Sequence, residues 1–221
     1  MKNLVYILII FALLGCEKYY ETDNASRVVE YPKIDFQGAE FVSVKRGSPK
    51  PVLPDVLITL YNKPLDLKYV SVSGIDINLI DYTKTGVYAI RYRAVSSDGL
   101  ETVKYRIIAV TFYTKDSILI NSDLGGKFIN NANGTEIIIK KIDDYGLYKV
   151  DNLLGFSGTN VEGKLVDIGF NKLFVVPADS QYGEYGLTEG EYDRYTRTWT
   201  VEFTEGVNEG IAIEVNVTKD N

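Results

Sequence analysis

Between Pro177 and Trp199 the chain reads PADSQYGEYGLTEGEYDRYTRTW, a stretch rich in groups that could grip a ligand. Tyr182, Tyr185, Tyr192 and Tyr195 stand among Asp179, Gln181, Glu184, Glu191, Asp193 and Arg194, with Gly183, Gly186 and Gly190 between them. Aromatic faces pack on the apolar C–H faces of pyranose rings, and carboxylate, amide and guanidinium groups hydrogen-bond sugar hydroxyls. Tyr182, Tyr185, Tyr192, Tyr195, Glu191 and Asp193 are therefore candidate glycan-binding residues. The same composition also suits a long tyrosine-bearing loop packed on a β-sandwich. Glu189, Glu191 and Asp193 alternate, so an extended backbone would project their carboxylates to one face. Paired acids of this kind can hydrolyse a glycosidic bond or ligate calcium, and more commonly form a solvated strand edge. The last reading is preferred, and no catalytic residue is assigned.

The rest of the composition narrows the chemistry. A chain of 221 residues with no histidine and a single cysteine lacks the usual general base, the commonest zinc ligand and any internal disulfide. Serine–histidine and cysteine–histidine catalysis are excluded, and neither a metal nor another cofactor is expected. With 24 basic and 30 acidic residues the formal charge is −6, and the basic residues are scattered, so no nucleic-acid partner is expected. The 17 tyrosines suit half-buried strands as well as contact surfaces.

The cysteine lies in MKNLVYILIIFALLGC, where Lys2 is followed by an apolar run from Leu4 to Leu14 and then Gly15. This is a secretory signal layout, and a run of about 11 residues is too short for a spanning helix, which needs about 20. Leu13-Leu14-Gly15-Cys16 resembles the lipobox of bacterial lipoproteins. The resemblance implies cleavage after Gly15 and acyl chains, palmitate among them, on Cys16 as the first mature residue. One acyl chain binds a membrane only marginally, whereas two or three anchor it stably. Loss of Lys2 with residues 1 to 15 takes the charge from −6 to −7, so lipid rather than headgroup attraction must hold the chain to the membrane. Residues 16–27 are polar and aperiodic, which reads as a tether. Glu17, Glu21 and Asp23 resemble, in diluted form, the acidic cluster of surface-exported lipoproteins of the Bacteroidota.

Residues 28–111 show short apolar segments punctuated by proline and glycine, and no helical period. Tyr88, Ile90, Tyr92 and Ala94 alternate with Ala89, Arg91 and Arg93 as a half-buried strand. Ser97-Asp98-Gly99 supplies a turn, and Val103, Tyr105, Ile107 and Ala109 return as its partner. Thr85 to Ala94 with Asp98-Gly99, in the wider span Leu67 to Val110, resembles bacterial immunoglobulin-like repeats, which implies a sandwich serving as spacer or adhesive module. Residues 112–221 are again all strand, ending in a hairpin of Trp199, Val201 and Phe203 against Ile211, Ile213, Val215 and Val217. That register places Trp199 in the core.

The expectation is an all-β protein, an immunoglobulin-like β-sandwich followed by a second antiparallel β-sandwich or a barrel-like domain. The order of segments, with GLYKVDNLLGFSG and RTWTVEF, resembles Bacteroidota lipoproteins that join these two parts and are often encoded beside outer-membrane glycan importers. This implies a lipid-anchored, surface-exposed outer-membrane lipoprotein that binds a polysaccharide without catalysis. The alternative is a structural or interaction subunit partnered with an outer-membrane transporter or another lipoprotein. Asp116-Ser117-Ile118 fits the short Bacteroidota O-glycosylation pattern, making Ser117 a candidate.

Overall fold

The computed structural model describes residues 29–112, 124–142 and 146–220. Cys16, the tether and Ser117 lie outside the described residues.

Seven strands form the first part: β1 Lys33–Phe36, β2 Phe41–Lys45, β3 Val56–Leu60, β4 Lys63–Pro64, β5 Val70–Gly74, β6 Gly86–Val95 and β7 Glu101–Thr111. They make a three-stranded sheet, β1-β3-β4, and a four-stranded sheet, β2-β7-β6-β5. All neighbours are antiparallel except β2, which runs parallel to β7. The β6–β7 hairpin turns where expected. Ser96 N donates to Leu100 O at 2.8 Å, and Gly99 supplies the positive φ of 81° that a side chain would resist. Between β3 and β4, Tyr61 and Asn62 both adopt left-handed φ values of 52° and 57°, so a mirror-image turn forms with no glycine.

β7 is buried on both faces from Arg106 to Thr111, and β6, half-buried along most of its length, is covered on both faces rather than one. On one face Ile90, Ile108 and Val110 pack under the smaller sheet, where Phe36 meets Tyr92 edge-on at 5.4 Å. On the other, Val87, Ile107 and Ala109 pack against the second part of the chain. The register pairs Tyr88 with Ile108 and Ala89 with Ile107, so the Tyr88 set and the Ile107 set lie on opposite faces. With apolar residues wanted on both sides, alternation no longer tells the inside from the outside.

The second part is a closed barrel. Its strands are β8 Gly126–Asn130, β9 Glu136–Lys141, β10 Leu147–Val150, β11 Gly163–Gly169, β12 Lys172–Val175, then, after the hairpin β13 Ala178–Ser180 and β14 Gly183–Tyr185, β15 Thr188–Tyr192, β16 Thr196–Glu205 and β17 Ala212–Lys219. Each pairs antiparallel with the next around the ring, and β17 closes on β8. The β13–β14 hairpin interrupts this order and attaches to the far end of β16 through Tyr185 and Phe203. Closure leaves the ring without a free edge.

A barrel of eight strands is just wide enough to be filled by side chains or to hold one small ligand. This one is filled. Phe128, Tyr148, Leu165, Leu173, Val201 and Val217 meet around the buried Trp199, whose indole N–H donates to Leu153 O at 2.8 Å. The core position expected for Trp199 is the observed one. Leu153 and Leu154 belong to the segment after β10, which closes one end of the barrel and is held there by Asn130 Nδ2 on Gly155 O at 2.8 Å.

Candidate functional site: the junction between sheet and barrel

The stretch that looked like a tyrosine-bearing loop is mostly strand, and its four tyrosines point to different places. Tyr185, on β14, is buried against Phe203, and burial alone pushes its hydroxyl pKa up to about 12. Tyr182, at the β13–β14 turn, packs half-buried on the barrel core. Tyr192 turns inward, and its hydroxyl donates to Asp167 Oδ1 at 3.0 Å. Tyr195 is exposed beyond the end of β15, with the Arg194 guanidinium 5.4 Å from its ring centre. The structure therefore does not gather these rings into one stacking platform.

The three alternating acids part company for a related reason. Glu189 and Glu191 share the outer face of β15, and Glu189 pairs with Lys172. That strand ends at Tyr192, so Asp193 turns back and caps the next segment. Its Oδ1 accepts from the backbone N–H of Thr196 at 2.7 Å and Tyr195 at 2.6 Å, and these donors hold its carboxyl below the usual range. Because β15 is hydrogen-bonded on both sides, the acids line a solvated barrel face rather than a strand edge. Among the described residues no cluster of acidic or thiol ligands is arranged to hold a metal.

What the inserted hairpin does bring together is the junction of the two parts. Glu184 of β14 reaches β6, where Arg91 Nε donates to Oε1 at 2.7 Å and Nη2 to Oε2 at 2.6 Å. Arg91 Nη2 also donates to Glu205 Oε2 at 2.7 Å, and the Tyr105 hydroxyl donates to Glu184 Oε1. A fork of this geometry is among the stronger charged contacts, and the hydrogen bonds to Glu184 hold the guanidinium more firmly protonated than usual. Arg93 makes a second fork to Glu101, its Nε and Nη2 each 2.6 Å from a carboxylate oxygen.

Next to this lock the two parts enclose an open cleft of about 390 Å³. Its floor is apolar, with Val103, Val176, Pro177 and Ala178, and Tyr105 stands at the wall. Its rim alternates in charge. Lys149 pairs with Glu162 at 2.6 Å, Lys164 lies 3.8 Å from Glu40, and Lys104 and Asp179 add one charge of each sign to the lining. Clefts of about 300–1,000 Å³ where domains meet, apolar with a few directed polar groups, are the usual shape of small-ligand sites. Of the six residues proposed from the sequence only Tyr185 touches this cleft, and it does so from beneath. Sequence alone offered no signal for Glu184 with Arg91, because 93 positions separate them.

The fold and the junction define an all-β protein in which a pair of small sheets is clamped to the flank of a filled eight-stranded barrel. No family model matches the chain, and no curated protein is similar to it. Among solved structures it is similar to the lipoprotein BT2262 from Bacteroides thetaiotaomicron, at 18% identity over 86% of this chain and 100% of that one, with a TM-score of 0.37. A superposition that loose fixes neither fold nor role.

Proposed function

We propose that the protein is a lipid-anchored outer-membrane lipoprotein of the cell surface, held by acylated Cys16, whose ligand is a glycan bound without catalysis in the cleft between sheet and barrel. The observation that carries the reading is the lining of that cleft. An apolar floor offers a surface to the C–H face of a sugar ring, and paired lysines and carboxylates at the rim offer donors and acceptors to its hydroxyls without a net charge to select an ionic ligand. In this reading the first part is an immunoglobulin-like module, in keeping with its seven strands in two sheets, and it shares the walls of the site with the barrel. The earlier candidates Tyr182, Tyr192, Tyr195, Glu191 and Asp193 then lie outside the lining of the site.

Affinity electrophoresis of the mature protein through gels containing neutral polysaccharides tests the ligand. Retardation by at least one polysaccharide, abolished by Ala178→Trp, which fills the cleft floor, is expected. Absence of retardation across the panel refutes glycan binding. The anchor is tested separately, since Cys16→Ser should leave an unprocessed precursor that takes up no labelled palmitate.

A further inference from the structure

β5 is the outermost strand of the four-stranded sheet, and among the described residues nothing pairs with its outer side. Its sequence, Val70-Ser71-Val72-Ser73-Gly74, carries no charge and no proline, the usual devices by which proteins keep a sheet edge from pairing. The edge is also apolar. Leu67, Val72 and Leu79 are 82%, 60% and 74% exposed, and they lie just before, on and just after this strand. Val72 is the informative one. It is paired with Tyr92 and so faces the same side as that half-buried ring, but β4 has only two residues and the smaller sheet stops short of covering it.

The orientation of the free backbone groups is fixed by the register. Ile75 N donates to Ala89 O at 3.2 Å, and Ser73 and Ser71 face Arg91 and Arg93, so these residues bond inward to β6. Val72 and Gly74 therefore turn their N–H and C=O groups outward, as does the Val70 carbonyl. Antiparallel pairing with an identical strand, centred on Val72, uses these groups and no others. Val72 exchanges both bonds with its counterpart, and each Gly74 N–H donates to the other copy's Val70 O. Antiparallel pairing brings the turn before β5, with Leu67 and Lys68, to the same end of the joined strands as the other copy's Asp76, so opposite charges are grouped at both ends. In the single chain Lys68 lies 3.4 Å from the exposed Asp66 and 4.8 Å from the centre of the Tyr69 ring.

We infer that β5 is a self-pairing edge, and that two copies of this chain join their four-stranded sheets into one continuous sheet about a two-fold axis at Val72. Such an interface is isologous and closes at the dimer. It leaves the cleft between sheet and barrel on the opposite side of β6 and β7 from the smaller sheet, and does not depend on what that cleft binds.

The test uses the chain from Glu17 onward, which keeps every described residue and lacks the only cysteine. Sedimentation equilibrium is expected to give twice the mass of one chain, falling to one in Val72→Lys, where two ammonium groups would be driven together. Val72 is exposed, so that variant should keep the circular dichroism of the parent. Register is read by oxidation. In the proposed pairing the two Val72 Cα atoms lie about 5.5 Å apart, within disulfide range, whereas the two Ser71 Cα atoms lie roughly 8 Å apart, beyond it. Val72→Cys should therefore cross-link to a dimer under mild oxidation, and Ser71→Cys should not. A parent that stays monomeric, a dimer that survives Val72→Lys, or equal cross-linking of the two cysteine variants would each overturn the inference.

Discussion

Replacing Glu184 by glutamine keeps the size of the side chain and removes the charge that clamps the β13–β14 hairpin to β6. The side chains of Arg91 and Glu184 are 19% and 9% exposed, so this ion pair belongs with buried rather than surface contacts. Breaking a buried pair typically costs about 3–5 kcal/mol because the surviving charge is left without a partner. Arg91 would not be left so, since Glu205 remains 2.7 Å from its Nη2 and Glu101 4.0 Å. An amide oxygen in the place of Oε1 also still accepts from Arg91 Nε and from the Tyr105 hydroxyl. What is lost is the bond from Arg91 Nη2 to Oε2 and the charge behind the other two, about 2 kcal/mol on the scale of hydrogen bonds to ionised groups. For a chain of this length that is a fall in Tm of about 4–8 °C. The assay is thermal unfolding followed in parallel by the fluorescence of the only tryptophan, Trp199 in the barrel, and by far-ultraviolet circular dichroism of the whole chain. The parent should melt in one transition by both probes, and Glu184→Gln should melt earlier, with the barrel signal lagging the total. Glu184→Ala, combined with Arg91→Ala in a double-mutant cycle, should recover much of the single losses. A fall below about 1 °C for Glu184→Gln would place the pair with exposed salt bridges of negligible worth and refute its role as a clamp.

Other consequences are equally direct. The hydroxyl of Tyr185, raised to about 12 from an ordinary 10 by burial, favours the fold at all pH values below 10, and that contribution declines as pH rises from 10 to 12. An alkaline stability profile should lose roughly 2–3 kcal/mol over this window, and Tyr185→Phe should flatten it. Trp199→Phe removes the bond to Leu153 O and leaves a cavity, so chemical denaturation should show a loss of about 2–4 kcal/mol. Gly190→Ala would bring a Cβ to 2.4 Å from Thr198 O, a backbone atom that cannot swing aside, and should lower the denaturation midpoint by more than a surface substitution does.

The parts of the fold that could be read in the sequence are those where one face is wet. The terminal hairpin alternates cleanly because β16 and β17 have a filled barrel on one side and water on the other, so Trp199 announces its own place. β6 and β7 gave a misleading face assignment because both their sides are covered, and Arg91 was read as a polar residue of an outer face when it is the centre of the junction. The turns at Tyr61-Asn62 and Phe170-Asn171 carry no glycine, and the latter pair sits at φ values of 57° and 60°. Their shared pattern, aromatic-Asn-Lys, was the available signal, since asparagine tolerates the left-handed region better than other non-glycine residues. The candidate site suffered most. In the sequence its tyrosines group as one loop, packed or ligand-facing, but successive residues of strands point to opposite sides, and this stretch crosses three strands before it ends.

That crossing also explains how a cleft comes to lie at the junction of sheet and barrel. A meander of eight strands closes by itself, and Phe128, Tyr148 and Trp199 are among the buried side chains that fill its interior. Inserting β13–β14 between β12 and β15 adds nothing to closure, since β12 and β15 pair with each other regardless. What the insertion does is project Glu184 outward to Arg91 and Tyr105 and set Pro177, Ala178 and Asp179 opposite Val103. The hairpin thus both fastens the sheet to the barrel and forms one wall of the cleft beside the fastening. Loosening the clamp should therefore weaken ligand retention even where no contact residue is touched. If Glu184→Gln bound as well as the parent at a temperature where both stay folded, the clamp would not be what holds the cleft walls, and the shared apolar cluster of Val87, Ile107 and Ala109 would suffice.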